Sequence, residues 1–256
     1  MPSPKLVCAQ ALEPDPTWAL FLDVDGTILK LAATPNGVAP SKRVCQALRR
    51  LSASLDGAVA LISGRTIDNL DRLFAPLRLP TAGLHGLERR DAAGRLHVLG
   101  EIEALEHLRP PFAELAASKK GVMLEDKGRA LAIHYRKAPQ EAESVRRQVD
   151  DLVRPSAEEI KVLHGKMVSE VKPRHADKGS AIRGFMGEAP FEGRVPVFVG
   201  DDVTDEDGFA MVNGFDGYAI RVGRDSETAA RYRLADVDQV IAWLEGLPAK
   251  IRARQG

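Results

Sequence analysis

Asp23 and Asp25 follow four apolar residues in the stretch ALFLDVDGTILK (19–30), an arrangement that demands a chemical explanation. Side chains two apart on an extended segment point to the same side, so both carboxylates face one site. Burying one ionised carboxylate is costly unless it is paired, and two together cost more. Either the pair closes a strand as turn residues, with Gly26 permitting a sharp bend, or it holds something positive. A second acidic run, GDDVTDEDG (200–208), follows the apolar stretch VPVFV. Acids at a helix start are stabilised by its dipole, and Asp205 to Asp207 read as such caps. Asp201 and Asp202 stand at the strand end, which capping does not explain. Counting back from Gly26 or Gly208 puts Phe21 or Val203 at the first calcium position, so neither stretch is an EF-hand.

An oxygen-rich site without Cys or His suits magnesium, which takes one or two carboxylates plus waters and phosphate. Like charges about 4 Å apart repel by ~4 kcal/mol at an effective dielectric near 20. Converging carboxylates therefore require a cation, and a divalent ion would also polarise a phosphoryl group. Ser63 and Gly64 in LISGR (61–65) and Lys178 in HADKGSAI (175–182) supply a hydroxyl, backbone N–H groups and a positive charge for phosphate oxygens.

These clusters are far apart along the chain, and a sheet must bring them together. WALFLDV (18–24), GAVALIS (57–63), RVPVFVG (194–200) and GYAIRVG (217–223) are apolar throughout, as in strands covered on both faces, and PTAGLHG (80–86) reads as another. Helical patterns follow most of them: 39–54 with Val44, Leu48 and Leu51, 65–77 with Ile67, Leu70, Leu73 and Phe74, then 204–212 and 236–247. Strand then helix, repeated, implies a doubly wound parallel α/β sheet, whose ligands sit beyond the strands' carboxyl ends. The middle differs. Residues 102–121 read as a helix broken near Pro110 and Pro111, 122–138 as two strands turning at EDKG, 139–155 as a helix with Val145, Val149 and Leu152 inward, and 158–173 as a hairpin turning at HGK. This is an α+β module, placed at 104–175, inserted into a discontinuous core of 1–103 and 176–256.

Composition bounds the rest. The chain has 256 residues, 44% hydrophobic and 28% charged, with 36 basic and 36 acidic side chains. The zero formal charge gives no sign of a nucleic-acid or anionic-membrane surface. Cys8 and Cys45, the only cysteines, read as free thiols of a reducing compartment. The first residues lack the apolar core of a secretory signal, and no stretch reaches 18 consecutive apolar residues. The expectation is a cytoplasmic protein, a monomer or weak dimer, with a small-molecule partner and neither nucleic acid nor membrane.

DVDGT (23–27), LISGR (61–65), Lys178 and GDDVTDED (200–207) resemble, in order, the four motifs of the haloacid dehalogenase superfamily of phosphotransferases. With EDKGRALAIHYRKAP (125–139) and GKMVSEVKP (165–173), the chain resembles the trehalose-6-phosphate phosphatase family from about Trp18 to Leu247. Val24, and Gly208 where a bulkier residue is frequent, depart from the pattern without removing a functional group.

The resemblance implies a haloacid dehalogenase-like (Rossmannoid) core with a cap that closes over the active site. It implies that Asp23 is a nucleophile forming an aspartyl-phosphate and Asp25 a general acid and base. It implies Mg2+ held by Asp23, Asp201 and the Asp25 carbonyl. Ser63, Gly64 and Lys178 would bind the phosphoryl group, with Asp202 and Asp205 behind the metal ligands. Lys127, His134, Arg136, Lys166 and Glu170 are candidate sugar contacts in the insert, and Arg65 and His85 in the core. The substrate implied is trehalose 6-phosphate. Alternatives are sucrose phosphate, glucosylglycerol phosphate or a phosphohexose, including mutase chemistry. A phospho-accepting receiver, typically half this length, leaves Asp25 and the insert unexplained, and a sugar-phosphate sensor without catalysis leaves the retained acids unexplained.

Overall fold

The computed structural model describes residues 6–31, 39–98, 103–165, 167–174, 176–223 and 227–255. Lys166 lies outside them, as does His175 of the HADKGSAI stretch. In chain order the elements are β1 (Val7–Cys8), β2 (Trp18–Leu22), α1 (Lys42–Ser54), β3 (Val59–Ile62), α2 (Ile67–Phe74), β4 (Thr81–Gly83), β5 (Glu88–Arg90), β6 (Leu96–Val98), α3 (Glu103–Ser118), β7 (Met123–Asp126), β8 (Leu131–His134), α4 (Ala142–Val153), β9 (Ile160–Gly165), β10 (Val168–Pro173), α5 (Lys178–Met186), β11 (Val195–Gly200), α6 (Glu206–Gly214), β12 (Tyr218–Val222), β13 (Tyr232–Leu234) and α7 (Val237–Gln255). The chain divides into two compact units, Met1–Val98 with Asp177–Gly256, and Leu99–Ala176.

In the first unit a nine-stranded sheet runs in the order β1-β13-β12-β11-β2-β3-β4-β5-β6. It is parallel from β1 to β4 and turns antiparallel at β5 and β6. Every residue of β2 and β3 is buried, as a sheet covered on both faces requires. α1 packs on α7, and α5 on α6. The central strands run in step: Leu22 pairs with Leu61 of β3 and with Val199 of β11. The residues just past these strands, Asp23, Ser63 and Asp201, therefore emerge at one edge of the sheet.

The helices that bring other groups to that edge are pinned by aromatic contacts and polar caps. Phe185 of α5 lies 6.0 Å from Phe21 of β2 and 5.1 Å from Phe191, so α5 and its first residue, Lys178, are fixed against the central strand. Asp177 starts this helix by accepting the Ser180 N–H at 2.7 Å. Phe209 of α6 sits 5.4 Å from Phe198 of β11. A Cβ on Gly208 would lie 2.4 Å from that Phe198 ring, so the missing side chain lets α6 approach the sheet. Thr66 caps α2 and Ser41 caps α1 in the same way as Asp177. The last helix continues through Pro248 to Gln255, past the 236–247 pattern, because Leu247 and Ile251 carry its buried stripe onward.

The second unit is a four-stranded antiparallel sheet, β7-β8-β10-β9, with α3 and α4 sharing its apolar cluster. Here three expectations need correction. α3 is continuous across Pro110 and Pro111. Leu105, Leu108, Phe112 and Leu115 form one buried stripe across the proline pair, and packing outweighs the lost ladder bonds. The carbonyls that those prolines leave unbonded belong to Glu106 and His107, both exposed. The first hairpin turns at 127–130, where Lys127 N–H meets Ala130 O at 3.0 Å, so Glu125 and Asp126 belong to the strand rather than the turn. In α4 the third fully buried residue is Val153; Leu152 is only partly covered.

Candidate active site

Asp23, Lys178 and Asp205 form the buried centre, with side chains 6%, 3% and 0% exposed. Lys178 Nζ donates to Asp23 Oδ1 and to Asp205 Oδ1, each at 2.6 Å. The other Asp205 oxygen accepts the backbone N–H groups of Asp201 and Asp202, both at 2.9 Å. Asp205 thus folds the 201–205 loop around itself while offering charge to Lys178. The bond from the Asp202 N–H is also half of a capping box, in which the Asp202 side chain accepts the Asp205 N–H in return, so Asp205 caps as expected and braces Lys178 as well; Asp202 itself is exposed. Asp201 accepts from Thr27 Oγ1 at 3.2 Å. Thr27 is fully buried and was not picked out in the sequence, although it closes the DVDGT motif.

Gly26 is where the two acidic runs meet. Its φ is +88°, and a Cβ there would fall 2.1 Å from Asp201 Oδ2. Only glycine leaves Asp201 room beside the turn after β2.

Oxygens of Asp23, Asp201 and Asp205 lie within 4.8 Å of one another. Three carboxylates face one lysine, and burial together with the excess negative charge registers in the acidity of Asp23 and Asp201. Burial, then the charge of Asp205, raises Asp201 to about 6. Burial pushes Asp23 well above the carboxylate range, with Asp205 and Asp201 adding to it and Lys178 opposing. Burial also works against the Lys178 charge, but Asp205 and Asp23 outweigh it and its pKa rises. An all-oxygen donor set with unneutralised charge fits a hard divalent cation. A cavity of about 600 Å³ lined by Gly26, Lys30, Leu31, Asp201 and Arg221 adjoins it. A second group of metal-competent side chains, Asp91, His97 and Glu188, differs in kind: Arg95 and Arg89 already neutralise its two carboxylates.

Asp25 diverges from Asp23. Arg65 grips it through both oxygens, Nε to Oδ2 at 2.6 Å and Nη2 to Oδ1 at 2.7 Å. Asn69 of α2 accepts a further bond from the guanidinium at 3.0 Å. Arg65, expected as a sugar contact, holds the second aspartate in this structure. Ser63 is buried, its Oγ accepting the Arg65 N–H at 3.1 Å, and Gly64 abuts the His85 ring.

In the second unit, Lys127 pairs with Glu170 at 3.2 Å and His134 Nε2 with Glu125 Oε2 at 2.7 Å. Glu125 and Glu170 flank Ala132 across the sheet, and Leu131, Ile133 and Val171 belong to the apolar cluster. Alternation therefore puts Lys127's partner Glu170, Glu125 and His134 on the face away from the helices. Placing the turn at EDKG hides Glu125, which stands within β7. Arg136 is exposed just past β8.

The trehalose-phosphatase family profile matches residues 21–238. The chain belongs to the trehalose-phosphatase family. It is 45% identical over 206 residues to a probable trehalose-phosphate phosphatase of Sinorhizobium fredii, covering 80% of this chain and 78% of that one. It is 40% identical over 239 residues to the trehalose-6-phosphate phosphatase of Escherichia coli, covering 93% and 89%. Among solved structures, the C-terminal domain of the C. albicans trehalose-6-phosphate phosphatase superposes with a TM-score of 0.79 at 22% identity, over 91% of this chain and 92% of that domain. The core has the haloacid dehalogenase-like fold. No helix among the described residues is long and apolar enough to cross a membrane.

Proposed function

We propose that this chain hydrolyses trehalose 6-phosphate to trehalose and phosphate through a phosphorylated Asp23. The observation that carries the reading is the convergence of Asp23, Lys178, Asp201 and Asp205, from three separate stretches of sequence, within hydrogen-bonding or metal-ligating reach.

Asp23 attacks phosphorus, and the bond from phosphorus to the sugar oxygen breaks as the acyl-phosphate bond forms. The departing oxygen takes a proton from the Asp25 carboxyl group, which carries that proton on an oxygen released from its bond to Arg65 while the other bond keeps it in place. Water then attacks phosphorus and gives its proton to the Asp25 carboxylate. Phosphate leaves and Asp23 is restored. Lys178 stabilises charge on the transferring group, and the Ser63 hydroxyl with the Gly64 N–H binds its oxygens. Magnesium would be held by Asp23, Asp201 and the carbonyl of Asp25, with the Asp205 carboxylate beside it; when bound it neutralises charge on the acids and the phosphoryl oxygens. Asp202 supports the loop through its backbone.

The insert supplies sugar recognition in this reading. Paired acids and bases such as Lys127–Glu170 and Glu125–His134 offer the alternating donors and acceptors that hydroxyl groups require. Arg136 and Lys166 are assigned to the same task from the family motifs. The test is phosphate release with magnesium from a panel of sugar phosphates. Trehalose 6-phosphate should be turned over far faster than glucose 6-phosphate or sucrose phosphate. Equal rates on all three would remove the disaccharide from the assignment.

A further inference from the structure

Three consecutive residues near the site adopt the left-handed backbone region: Leu84 at φ 49°, His85 at 55° and Gly86 at 102°. Glycine enters it freely, whereas leucine there is a genuine outlier. Such a run persists only where its surroundings over-determine it, and runs of this kind cluster at functional sites.

The surroundings are the phosphate-binding loop on one side and the lysine helix on the other. Leu84 N–H donates to Arg65 O at 2.9 Å, and His85 N–H to Ser63 O at 2.8 Å. Further along, Glu88 Oε1 accepts the Ile67 N–H at 2.5 Å. The His85 ring, 9% exposed, lies against Gly64 so closely that a Cβ there would stand 2.6 Å from Nε2. Gly86 touches the other motif: a Cβ on it would lie 2.7 Å from the carbonyl of Asp177, the residue before Lys178. One bent segment therefore contacts both the Ser63–Arg65 loop and the residue that precedes Lys178.

We infer that residues 83–88 are a mould for the phosphate-binding loop and that His85 is its positioning residue, fixing Ser63 and Gly64 relative to Lys178. The backbone bonds hold the carbonyls of Ser63 and Arg65, and the imidazole sets how far Gly64 sinks. His85 acts on the phosphoryl group through the loop and not on the sugar, which replaces its expected role as a substrate contact. The inference rests on the phosphatase reading above.

Two variants separate the possibilities. His85→Asn keeps a residue that tolerates the left-handed conformation but loses part of the ring, and His85→Ala loses all of it. Each is compared with wild type on trehalose 6-phosphate and on p-nitrophenyl phosphate, which has no sugar, alongside inhibition by inorganic phosphate and a thermal melt. A misplaced loop should lower kcat/KM on both substrates alike, between about 10- and 100-fold, and weaken phosphate inhibition by a comparable factor. His85→Asn should retain more activity than His85→Ala, with melting temperatures close to wild type. A loss confined to trehalose 6-phosphate would make His85 a sugar contact and overturn the inference. So would unchanged phosphate inhibition accompanied by a large fall in melting temperature. Wild-type protein that hydrolyses only p-nitrophenyl phosphate would refute the trehalose assignment while leaving the His85 comparison readable on that substrate.

Discussion

Replacing Asp201 with asparagine should make the cation-free protein more stable while destroying its ability to bind magnesium. Burial and the neighbouring Asp205 raise Asp201 from 3.8 to about 6. Between those values the folded chain binds a proton that the unfolded chain has released, so folding stability falls as pH rises through this window. The gap amounts to about 3 kcal/mol of destabilisation above pH 6, at 1.36 kcal/mol per pH unit. Asparagine cannot ionise, has nearly the same shape, and keeps an oxygen for the Thr27 hydroxyl. In EDTA at pH 7.5, Asp201→Asn should therefore be more stable by up to about 3 kcal/mol, or roughly 6–12 °C in Tm for a chain of this size. At pH 4 the difference should nearly vanish, because wild-type Asp201 is then protonated. Added magnesium should raise the wild-type Tm at pH 7.5 and leave the variant unmoved. The assay is thermal denaturation followed by circular dichroism, at both pH values, with EDTA or magnesium. A variant melting at or below wild type in EDTA at pH 7.5 would refute the claim that Asp201 is held at an energetic cost for a cation.

Further outcomes follow from individual contacts. Gly26→Ala forces a left-handed alanine whose Cβ meets Asp201, and calorimetry should show magnesium affinity reduced by about 10- to 100-fold. Arg65→Met removes both bonds to Asp25; kcat should fall by about 100-fold while phosphate inhibition changes little, as steady-state assays can separate. Pro110→Ala, at an exposed position inside α3, should stabilise the protein by about 1–3 kcal/mol in denaturant titrations, with activity unchanged.

The sequence was most legible where one force dominated. The uniformly apolar runs of β2, β3 and β11 had to be buried strands, and their ends carried the acids and Ser63 to one edge. Asp205 was harder, because its place at a helix start signals the capping it performs and gives no sign of its bond to Lys178. The Arg65–Asp25 pair, 40 positions apart, depends on a tertiary choice among many possible partners. The prolines of α3 point the wrong way, since the sequence displays their local backbone cost and not the tertiary packing of Leu105, Leu108, Phe112 and Leu115 that overrides it. Strands of two or three residues, β1, β5, β6 and β13, are too short to display any period. The left-handed turn at Leu84 and His85 left no mark because neither residue type signals it.

Phosphate release from trehalose 6-phosphate by wild type and Asp23→Asn, each with magnesium and again with excess EDTA, bears most directly on the whole account. Wild type should release phosphate only with magnesium, and Asp23→Asn should fold normally yet lose activity by about 1,000-fold or more in the presence of magnesium. Full wild-type turnover in EDTA, or an asparagine variant retaining more than a few per cent of the wild-type rate, would contradict the reading of Asp23 and its acidic neighbours as a cation-assisted nucleophilic centre.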